Sequence, residues 1–191
     1  MVAQRHPTRH DRESITTTAL NLLDEVGLPD LSMRRLANEL GVQPSALYWH
    51  FANKQELLAA VADRILARLN TPTSSTSSDA AVSAARGIRD ALLAYRDGAE
   101  IVMSSYALGF GADHAHAALV DALSPSPAEN ADARASVLFQ FILGHALVVQ
   151  QRLHAESYGA AVPSADADPS AGFEATFDLG VRTFLTGVPA S

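Results

Sequence analysis

The chain has 191 residues, 48% of them hydrophobic, a formal net charge of −7 and no cysteine. This length and composition indicate a folded globular protein and exclude a disordered chain. Without cysteine the chain has neither disulfide bonds nor thiolate metal sites, which fits a reducing cytoplasm.

The charge is unevenly distributed. Residues 1–70 contain eight Lys or Arg and eight Asp or Glu, whereas residues 71–191 contain six and thirteen, so the first part is neutral and the second carries the whole −7. The basic residues of the first part indicate either a local basic face or an ordinary solvated helical surface. They include Arg5, Arg9, Arg12, Arg34, Arg35 and Lys54.

Apolar residues recur with a helical period along the chain, so the sequence predicts an all-α protein. The first predicted helix carries its apolar stripe from Ile15 to Val26 and ends at Gly27. A second, short helix begins after Ser32 as N-cap, Gly41 breaks it, and Pro44 opens a third. The apolar positions of the second helix are Met33, Leu36, Ala37 and Leu40. Two short helices joined by a glycine turn are typical of a helix-turn-helix.

A connecting helix follows, with Asn53 as N-cap, Glu56 at the capping-box position, and an apolar stripe of Leu58, Val61 and Ile65. We therefore predict a DNA-binding domain at 1–52, a connecting helix at 53–69 and a linker at 70–79. The remainder, 80–191, forms a second unit, which is predicted to dimerise. Its predicted helices span 80–96, 99–109, 113–123, 129–155 and 170–187, with a loop at 157–170.

The helices at 129–155 and 170–187 are apolar on more than one side. One side can pack within the subunit and the other against a second copy, so we expect a four-helix dimer interface; in the alternative, a monomer, its own helices cover everything. The longest apolar run, Val137–Val149, is too short to span a bilayer. No apolar stretch follows the charged N-terminus, so we expect neither a signal peptide nor a membrane partner.

The stretch QPSALYWHF, residues 43–51, holds the only tryptophan. On a helix Leu47 and Phe51 share one face, and Trp49 points almost directly away from it. A large aromatic side chain in that position needs another partner. The residues alone leave open whether that partner is a neighbouring helix or subunit, or a ligand.

The segment LSMRRLANELGVQPSALYWHFANKQELL (31–58) resembles the helix-turn-helix of the tetracycline-repressor (TetR) family of transcription regulators. The segments YRDGAEIV (95–102), FILGHAL (141–147) and FEATFDLGVRTFLTG (173–187) resemble the regulatory domain of the tetracycline-repressor subfamily. The resemblance implies an all-helical, cytoplasmic homodimer that binds a palindromic double-stranded DNA operator and is released by a small effector. It implies neither enzymatic activity nor a cofactor.

The resemblance also implies roles for individual residues. Arginine and glutamine offer hydrogen bonds to guanine and adenine, and small apolar groups suit the thymine methyl. Hydroxyl, indole and imidazole donors, a lysine and a helix N-terminus suit phosphate. The expected base-reading residues are Arg34, Gln43, Pro44, Ser45, Ala46 and Tyr48. The expected phosphate contacts are Met33, Tyr48, Trp49, His50 and Lys54.

The ligand site departs from the subfamily. Val102 and Val148 stand where that subfamily holds magnesium, and Ala84 and Ile88 replace an asparagine and an aromatic residue at the drug. Valine cannot ligate magnesium, so we expect no metal and a more apolar effector than tetracycline. The expected ligand contacts are Ala84, Ile88, Val102, Met103, Ser105, Tyr106, Phe110, Phe139, Leu143 and His145. The expected dimer contacts are Phe141, Val148, Phe173, Phe177, Val181 and Phe184.

Two other classes of function compete with this interpretation. Asp113, His114 and His116 resemble a metal cluster of an enzyme, but residues two apart on a helix face different sides, which favours surface histidines. The net charge of −7 would suit a protein-interaction module that has lost DNA binding. Salt screens charge over about 8–10 Å, however, so a local basic face can still dominate.

Overall fold

The computed structural model describes residues 10–67, 69, 77–124, 130–159 and 169–186. The chain forms nine helices and no strand in these ranges, which confirms the predicted all-α class. The helices are α1 (Arg12–Val26), α2 (Met33–Glu39), α3 (Pro44–Leu47), α4 (Lys54–Leu66), α5 (Ser77–Leu93), α6 (Gly98–Ala107), α7 (Asp113–Leu123), α8 (Ala131–Ser157) and α9 (Pro169–Thr186).

Side-chain caps set the helix starts in the first part of the chain. Asp11 caps α1 in a reciprocal capping box with Ser14, and Ser32 and Asn53 cap α2 and α4 as predicted. Glu56 differs from the expected box, because its carboxylate accepts from the main-chain N–H of Ala52, one residue before the N-cap. These caps satisfy N–H groups that have no partner inside a helix.

The third helix is shorter than the sequence pattern indicates. Gly41, at φ 67°, makes the turn after α2 in a conformation that favours glycine, and Pro44 occupies the first turn of α3 as predicted. The helix then ends at Leu47, so Trp49 lies in the turn beyond it and not within the helix.

A continuous hydrophobic core joins the two parts of the chain. The connecting helix α4 packs on α1 and also on α5, α6 and α7. It buries Leu57, Val61 and Ile65, whereas Leu58, which we predicted in the stripe, is half-buried. The helix α4 therefore contacts both the first helix and the helices of the second part of the chain.

The connections agree in part with the sequence. The linker predicted at 70–79 is too long at its end, because α5 already begins at Ser77; residues 70–76 lie outside the described part. The loop predicted at 157–170 is bounded by the end of α8 at Ser157 and the start of α9 at Pro169, and residues 160–168 are outside the description.

The helix α8 has 27 residues, about twice the apolar run that the sequence marks. Among the described helices only α8 is long and apolar enough to cross a membrane by length and composition. In this structure α8 contributes to the hydrophobic core through Leu138, Phe139, Ile142 and Leu143. A core helix of this kind passes the same test.

Candidate nucleic-acid interface and regulatory site

The helix-turn-helix is held by one buried face. Leu36 on α2, Leu47 on α3 and Phe51 beyond it have at most 1% of their surface exposed. This packing leaves the opposite side of α3 free, because residues two positions from a buried site point away from it. Of the predicted DNA contacts in this stretch, Gln43, Ser45, Tyr48 and Trp49 are exposed.

The predicted base-reading residues are accessible. Arg34, Gln43 and Ser45 are exposed, and Pro44 and Ala46 are half-buried. Gln43 is the N-cap of α3 but makes no side-chain capping bond, so its amide keeps its donors and acceptor for another partner. This surface has the groups that hydrogen-bond to base edges.

The turn after α3 carries the most exposed aromatic side chains of the DNA-binding segment. Trp49 is 89% exposed and Tyr48 52% exposed, while His50 is half-buried. A tryptophan offers about 150–250 Å² of surface, so this arrangement leaves a large apolar area in water. Trp49 is therefore not packed against a helix in the part of the chain that the structure describes, which favours a ligand from outside the subunit over a neighbouring helix.

Two of the predicted phosphate contacts, Lys54 and Met33, differ in their position and exposure. Lys54 is the first residue of α4, where the helix N-terminus also attracts an anion. The assignment of the Met33 side chain to a phosphate contact is wrong, because that side chain is 8% exposed and packs in the core. The apolar position that the sequence pattern gave to Met33 explains this burial.

The arginines and lysine of the first part divide into two groups. Arg12 pairs with Glu56 and Arg64 with Glu13, whereas Arg34, Arg35 and Lys54 have no ion-pair partner in the part of the chain that the structure describes. Cations without a carboxylate partner can bind phosphate without first breaking an ion pair, which favours a locally basic surface at α2 and the start of α4 although residues 1–70 net zero. Arg5 and Arg9 of the predicted basic cluster lie outside the described residues.

Arg12 has a role that the sequence did not reveal. Its Nη1 donates to the main-chain carbonyl of His50 and to Glu56 Oε1 at 2.8 Å, and its guanidinium lies over the Phe51 ring with Cζ 4.2 Å from the centroid. The N–H of Ala52 and then Arg12 lower the pKa of the Glu56 carboxyl by hydrogen bonding. We call residues 48–53 the exit turn. The only sequence signal for these contacts was the basic residue near the start of α1.

The predicted ligand contacts do not form one open site. Ile88, Val102 and Phe139 are 0% exposed, and Leu143 and Ser105 are 2% and 4% exposed. A fully inaccessible side chain borders no space that holds a water molecule, so the first three are packed core. The three expected ligand contacts Ile88, Val102 and Phe139 therefore have no surface open to a ligand in this arrangement. Of the others, Ala84, Met103, Tyr106 and His145 are half-buried, and Phe110 is exposed.

Tyr106 shows how this region is filled. Its ring meets the Phe139 ring edge-on with centroids 5.0 Å apart. His145 points to the other side of α8, where it contacts the rings of Phe141, Phe173 and Phe177. Tyr106 and His145 therefore lie in different environments, and the structure does not bring them together.

Two hydrogen bonds join the turn between α5 and α6 to α1 and to the residues that follow α1. The N–H of Leu28, between α1 and α2, donates to Asp97 Oδ2 at 2.7 Å, and the N–H of Arg96 donates to Asp24 Oδ1 at 3.0 Å. Asp97 is buried and adopts φ 56°, a left-handed conformation that costs free energy in a residue other than glycine. The two parts of the chain thus contact each other at main-chain positions as well as through α4.

A side chain of α8 also forms hydrogen bonds to the turn between α5 and α6. Gln150, 6% exposed, accepts from the N–H of Ala99 at 3.0 Å and donates to the carbonyls of Leu92 and Tyr95 at 3.1 and 2.8 Å. After α6, Asp63 of α4 accepts from the N–H of Ala112 at 3.0 Å. A buried amide that makes three hydrogen bonds holds its neighbours rigidly.

The predicted dimer contacts fall into a buried group and a group that reaches the surface. Phe177 and Val181 are 0% and 1% exposed within the single subunit, so they belong to its core, and their assignment to the dimer interface is wrong. Val148 is 57% exposed, and the remaining predicted contacts, Phe141, Phe173 and Phe184, are half-buried. The outer surface of α8 and α9 carries further exposed apolar side chains that the prediction missed, including Val137, Leu153 and Leu179.

The candidate metal cluster at the start of α7 has another explanation. His116 Nε2 is 3.0 Å from Ser136 Oγ on α8, while Asp113 and His114 are exposed. No group of three or more His, Cys, Asp or Glu residues in the described ranges could hold a metal ion. His116 therefore serves the packing of α7 on α8.

Comparison with known proteins agrees with this geometry. A model of the TetR family of bacterial regulatory proteins matches residues 15–61. The tetracycline repressor protein class A from transposon 1721 of Escherichia coli is 46% identical over 98 residues, 49% of this chain and 45% of that protein. The chain thus spans about half the length of the tetracycline repressors that it matches.

Two solved structures match nearly the whole chain. The crystal structure of Mycobacterium smegmatis BioQ is 36% identical, with a TM-score of 0.78, over 93% of this chain and 99% of that one. The crystal structure of BioQ with its natural double-stranded DNA operator is 34% identical, with a TM-score of 0.76, over 94% of this chain and 100% of that one. The whole described fold therefore has a counterpart in a protein that binds operator DNA.

Proposed function

The chain belongs to the TetR family of bacterial regulatory proteins, and we propose that it regulates transcription by binding a specific double-stranded DNA operator as a homodimer. It is a regulatory protein and not an enzyme. We assign its action to the cytoplasm, where the operator would be reached.

The exposure of Trp49 is the single observation that carries the DNA-binding proposal. An 89% exposed tryptophan beside an exposed tyrosine needs a partner from outside the subunit. Arg34 and Arg35 on α2 and Lys54 at the start of α4 are cations without ion-pair partners in the described ranges. Aromatic donors among free cations suit the phosphate backbone, so that partner is DNA.

We assign direct base reading to Arg34, Gln43 and Ser45, and backbone contact to Tyr48, Trp49, His50 and Lys54. Two recognition helices related by a two-fold axis would enter successive major grooves about 34–36 Å apart. The operator should therefore be palindromic. The similarity to BioQ in its operator complex supports this arrangement.

The dimer that this requires would use the outer surface of α8 and α9. Val148 and Leu179 leave apolar area in water at 57% and 68% exposure. On the same two helices, Gly144 and Gly172 present a smooth surface, because a Cβ added at either position would meet no neighbouring side chain or helix within 4 Å. Exposed apolar surface together with small residues favours close helix packing against a second copy.

We propose that a small, largely apolar effector releases the operator. Its entry would lie at Ala84, Met103 and Tyr106, the half-buried members of the predicted site, since Ile88 and Val102 are packed core. Binding would then displace Tyr106 from Phe139, and α4 and the turn at Asp97 would carry the movement to the DNA-binding helices. An effector shifts this equilibrium only by its differential affinity for the two arrangements.

Operator binding should be tested by selecting DNA from a random-sequence pool with the purified full-length chain. We expect enrichment of a palindrome, and affinity for it should fall steeply as salt rises, because bound cations displace counterions. A Trp49→Ala variant should lose most of that affinity and keep its fold. Absence of enrichment by the wild-type chain would refute the proposed function.

A further inference from the structure

We infer that the first turn of α1 positions the DNA-contacting exit turn, and that Arg12 is a positioning residue that acts through His50 and Phe51 without reading a base. Its consequence for operator affinity rests on the proposed function. Its consequence for the order of the exit turn does not, because it follows from contacts within the free protein.

The exit turn needs an external support because α3 is very short. The helix has four residues, and its main-chain continuation consists of bonds from the N–H groups of His50 and Phe51 to the carbonyl of Leu47, at 2.9 and 3.0 Å. One helical turn has little stability of its own. Trp49 lies in the middle of this stretch with 89% of its surface in water, so its own side chain contributes little packing.

The first turn of α1 and the residue before its N-cap touch the chain on both sides of α3. His10 Nε2 is 3.1 Å from the carbonyl oxygen of Leu40, the residue before the Gly41 turn. Arg12 donates to the carbonyl of His50, two residues beyond Tyr48, the C-cap of the helix. The start of α1 and the residue before its N-cap thus hold the end of α2 ahead of the recognition helix and the exit turn after it.

Arg12 suits this role through its shape. Its planar guanidinium lies on the Phe51 ring and at the same time donates to the His50 carbonyl and to Glu56. Glu56 uses its second oxygen for the N–H of Ala52, so the exit turn is held at three consecutive residues. The ion pair itself is half exposed, with side-chain exposures of 50% and 36%, and such pairs contribute little stability. The Arg12–Glu56 pair therefore serves to position the exit turn and contributes little to the stability of the protein.

The chain contains a matched control in Arg64. Its Nη1 pairs with Glu13 Oε1 at 3.3 Å and also joins α4 to α1, with a similar side-chain exposure of 45%. None of its described contacts involves the exit turn. Arg12→Met and Arg64→Met each remove one charge and one ion pair between the same two helices, but only the first releases the exit turn.

The first experiment uses Trp49, the only tryptophan, as a reporter in the full chain without DNA. Time-resolved fluorescence anisotropy should show faster local motion of Trp49 in Arg12→Met than in the wild type, and wild-type behaviour in Arg64→Met. Thermal unfolding followed by circular dichroism confirms that both variants are folded. Equal Trp49 motion in the wild type and Arg12→Met, or an equal increase in both variants, would overturn the inference.

Arg12→Lys separates charge from shape. Lysine keeps the positive charge and can still pair with Glu56, but it has no plane to lie on the Phe51 ring. Trp49 should therefore move faster than in the wild type. Wild-type anisotropy in this variant would show that charge and hydrogen bonding alone hold the turn and would refute the role of the contact with Phe51. This comparison also covers the case in which Arg12→Met does not fold.

The second experiment measures operator affinity against salt. Arg12→Met should bind about tenfold more weakly, the size of one misplaced contact, with an unchanged salt slope. Arg64→Met should change affinity by less than about threefold because its charge is screened. A salt slope lowered by about one, with Trp49 motion unchanged, would make Arg12 a direct phosphate contact instead. If the wild type binds no DNA, the proposed function fails while the anisotropy result stands.

Discussion

The segment α1–α4 and the segment α5–α9 differ in the arginine and aromatic side chains that they leave at the surface. In the first, Arg34, Arg35 and Lys54 have no ion-pair partner among the described residues, and Trp49 stands in water. In the second, Arg86 is paired with Asp178, and Phe139 has no exposed surface. The contrast teaches that a surface able to bind a charged partner keeps exposed, unpaired groups in the free protein, whereas the core of the second segment is filled by its own side chains.

The largest effect should separate core from interface on α9. Phe177→Glu places a charge in a fully buried position, so we expect a loss of more than about 3 kcal/mol of unfolding free energy, the range for truncating a buried Phe. Denaturant unfolding measures it. Leu179→Glu is the control, because its site on the same helix is 68% exposed.

Leu179→Glu should change stability by less than about 0.5 kcal/mol but yield a monomer with weak operator affinity. Sedimentation in solution reports the mass. A dimer of unchanged mass would mean that this surface of α9 is not the interface, and the contrast between its two sides would then be one of packing alone.

The next effect concerns base reading in the first segment. Arg34→Ala or Gln43→Ala should cost about 1–3 kcal/mol on the true operator and relax the preference at one base pair, because each removes a hydrogen-bonding group from a base edge. Binding to a set of single-base operator variants measures both quantities. Equal losses on every DNA sequence would assign these side chains to the backbone.

Lys54→Ala should weaken binding to all sequences alike and lower the salt slope by about one, since it removes one phosphate contact. Titration of the operator and of a scrambled duplex at several salt concentrations gives the slope. A changed sequence preference with an intact slope would contradict the phosphate role of Lys54.

A smaller effect is expected from His145 in the regulatory segment. Burial, and then the charge of Arg89, lower the pKa of His145 below its usual 6.5. The unfolded chain therefore takes up this proton more readily, so stability should fall as pH drops below about 6.5 and level off below the folded-state pKa. His145→Phe keeps the ring contacts and should flatten this part of the curve. Identical pH dependence of unfolding in both proteins would refute the contribution of His145 to this pH dependence.

The smallest expected effect is that of tetracycline with magnesium, which should leave operator binding unchanged. By the resemblance to the tetracycline-repressor subfamily, we expect Val102 and Val148 to stand where that subfamily holds magnesium; valine cannot ligate the ion, and Val102 has no exposed surface. An apolar effector should act equally well in the presence of EDTA. Magnesium-dependent release of the operator by tetracycline would overturn both the residue correspondence and the apolar-effector proposal.

The first segment could be predicted from sequence almost entirely because local chemistry determines it. Ser32 and Asn53 cap their helices, and Gly41 and Pro44 mark the turn between them. The length of α3 was less predictable, since Leu47 and Phe51 keep a helical spacing across the exit turn although the helix ends between them. The Arg12 contact joins residues 38 positions apart and leaves no local pattern.

The regulatory segment was predictable in its helices but not in its site. Apolar residues such as Val102 and Phe139 suit a ligand cavity and a packed core equally well, and only the tertiary arrangement shows that they fill the space. Phe177 and Leu179 likewise share an apolar helix, and the sequence does not tell which faces the subunit. Gln150 lies in a polar run at the end of α8, yet its amide is buried by three main-chain partners.

The central claim is that the exposed turn after α3 meets DNA, and Trp49 can report this directly. Fluorescence of the single tryptophan should be titrated with the DNA selected by the wild-type chain and with a scrambled duplex of equal length. We expect a saturable change in Trp49 emission at one selected duplex per two chains, lost at high salt and absent with the scrambled duplex at equal concentration. Tight binding to the selected duplex with unchanged Trp49 emission would place the DNA elsewhere and contradict this claim.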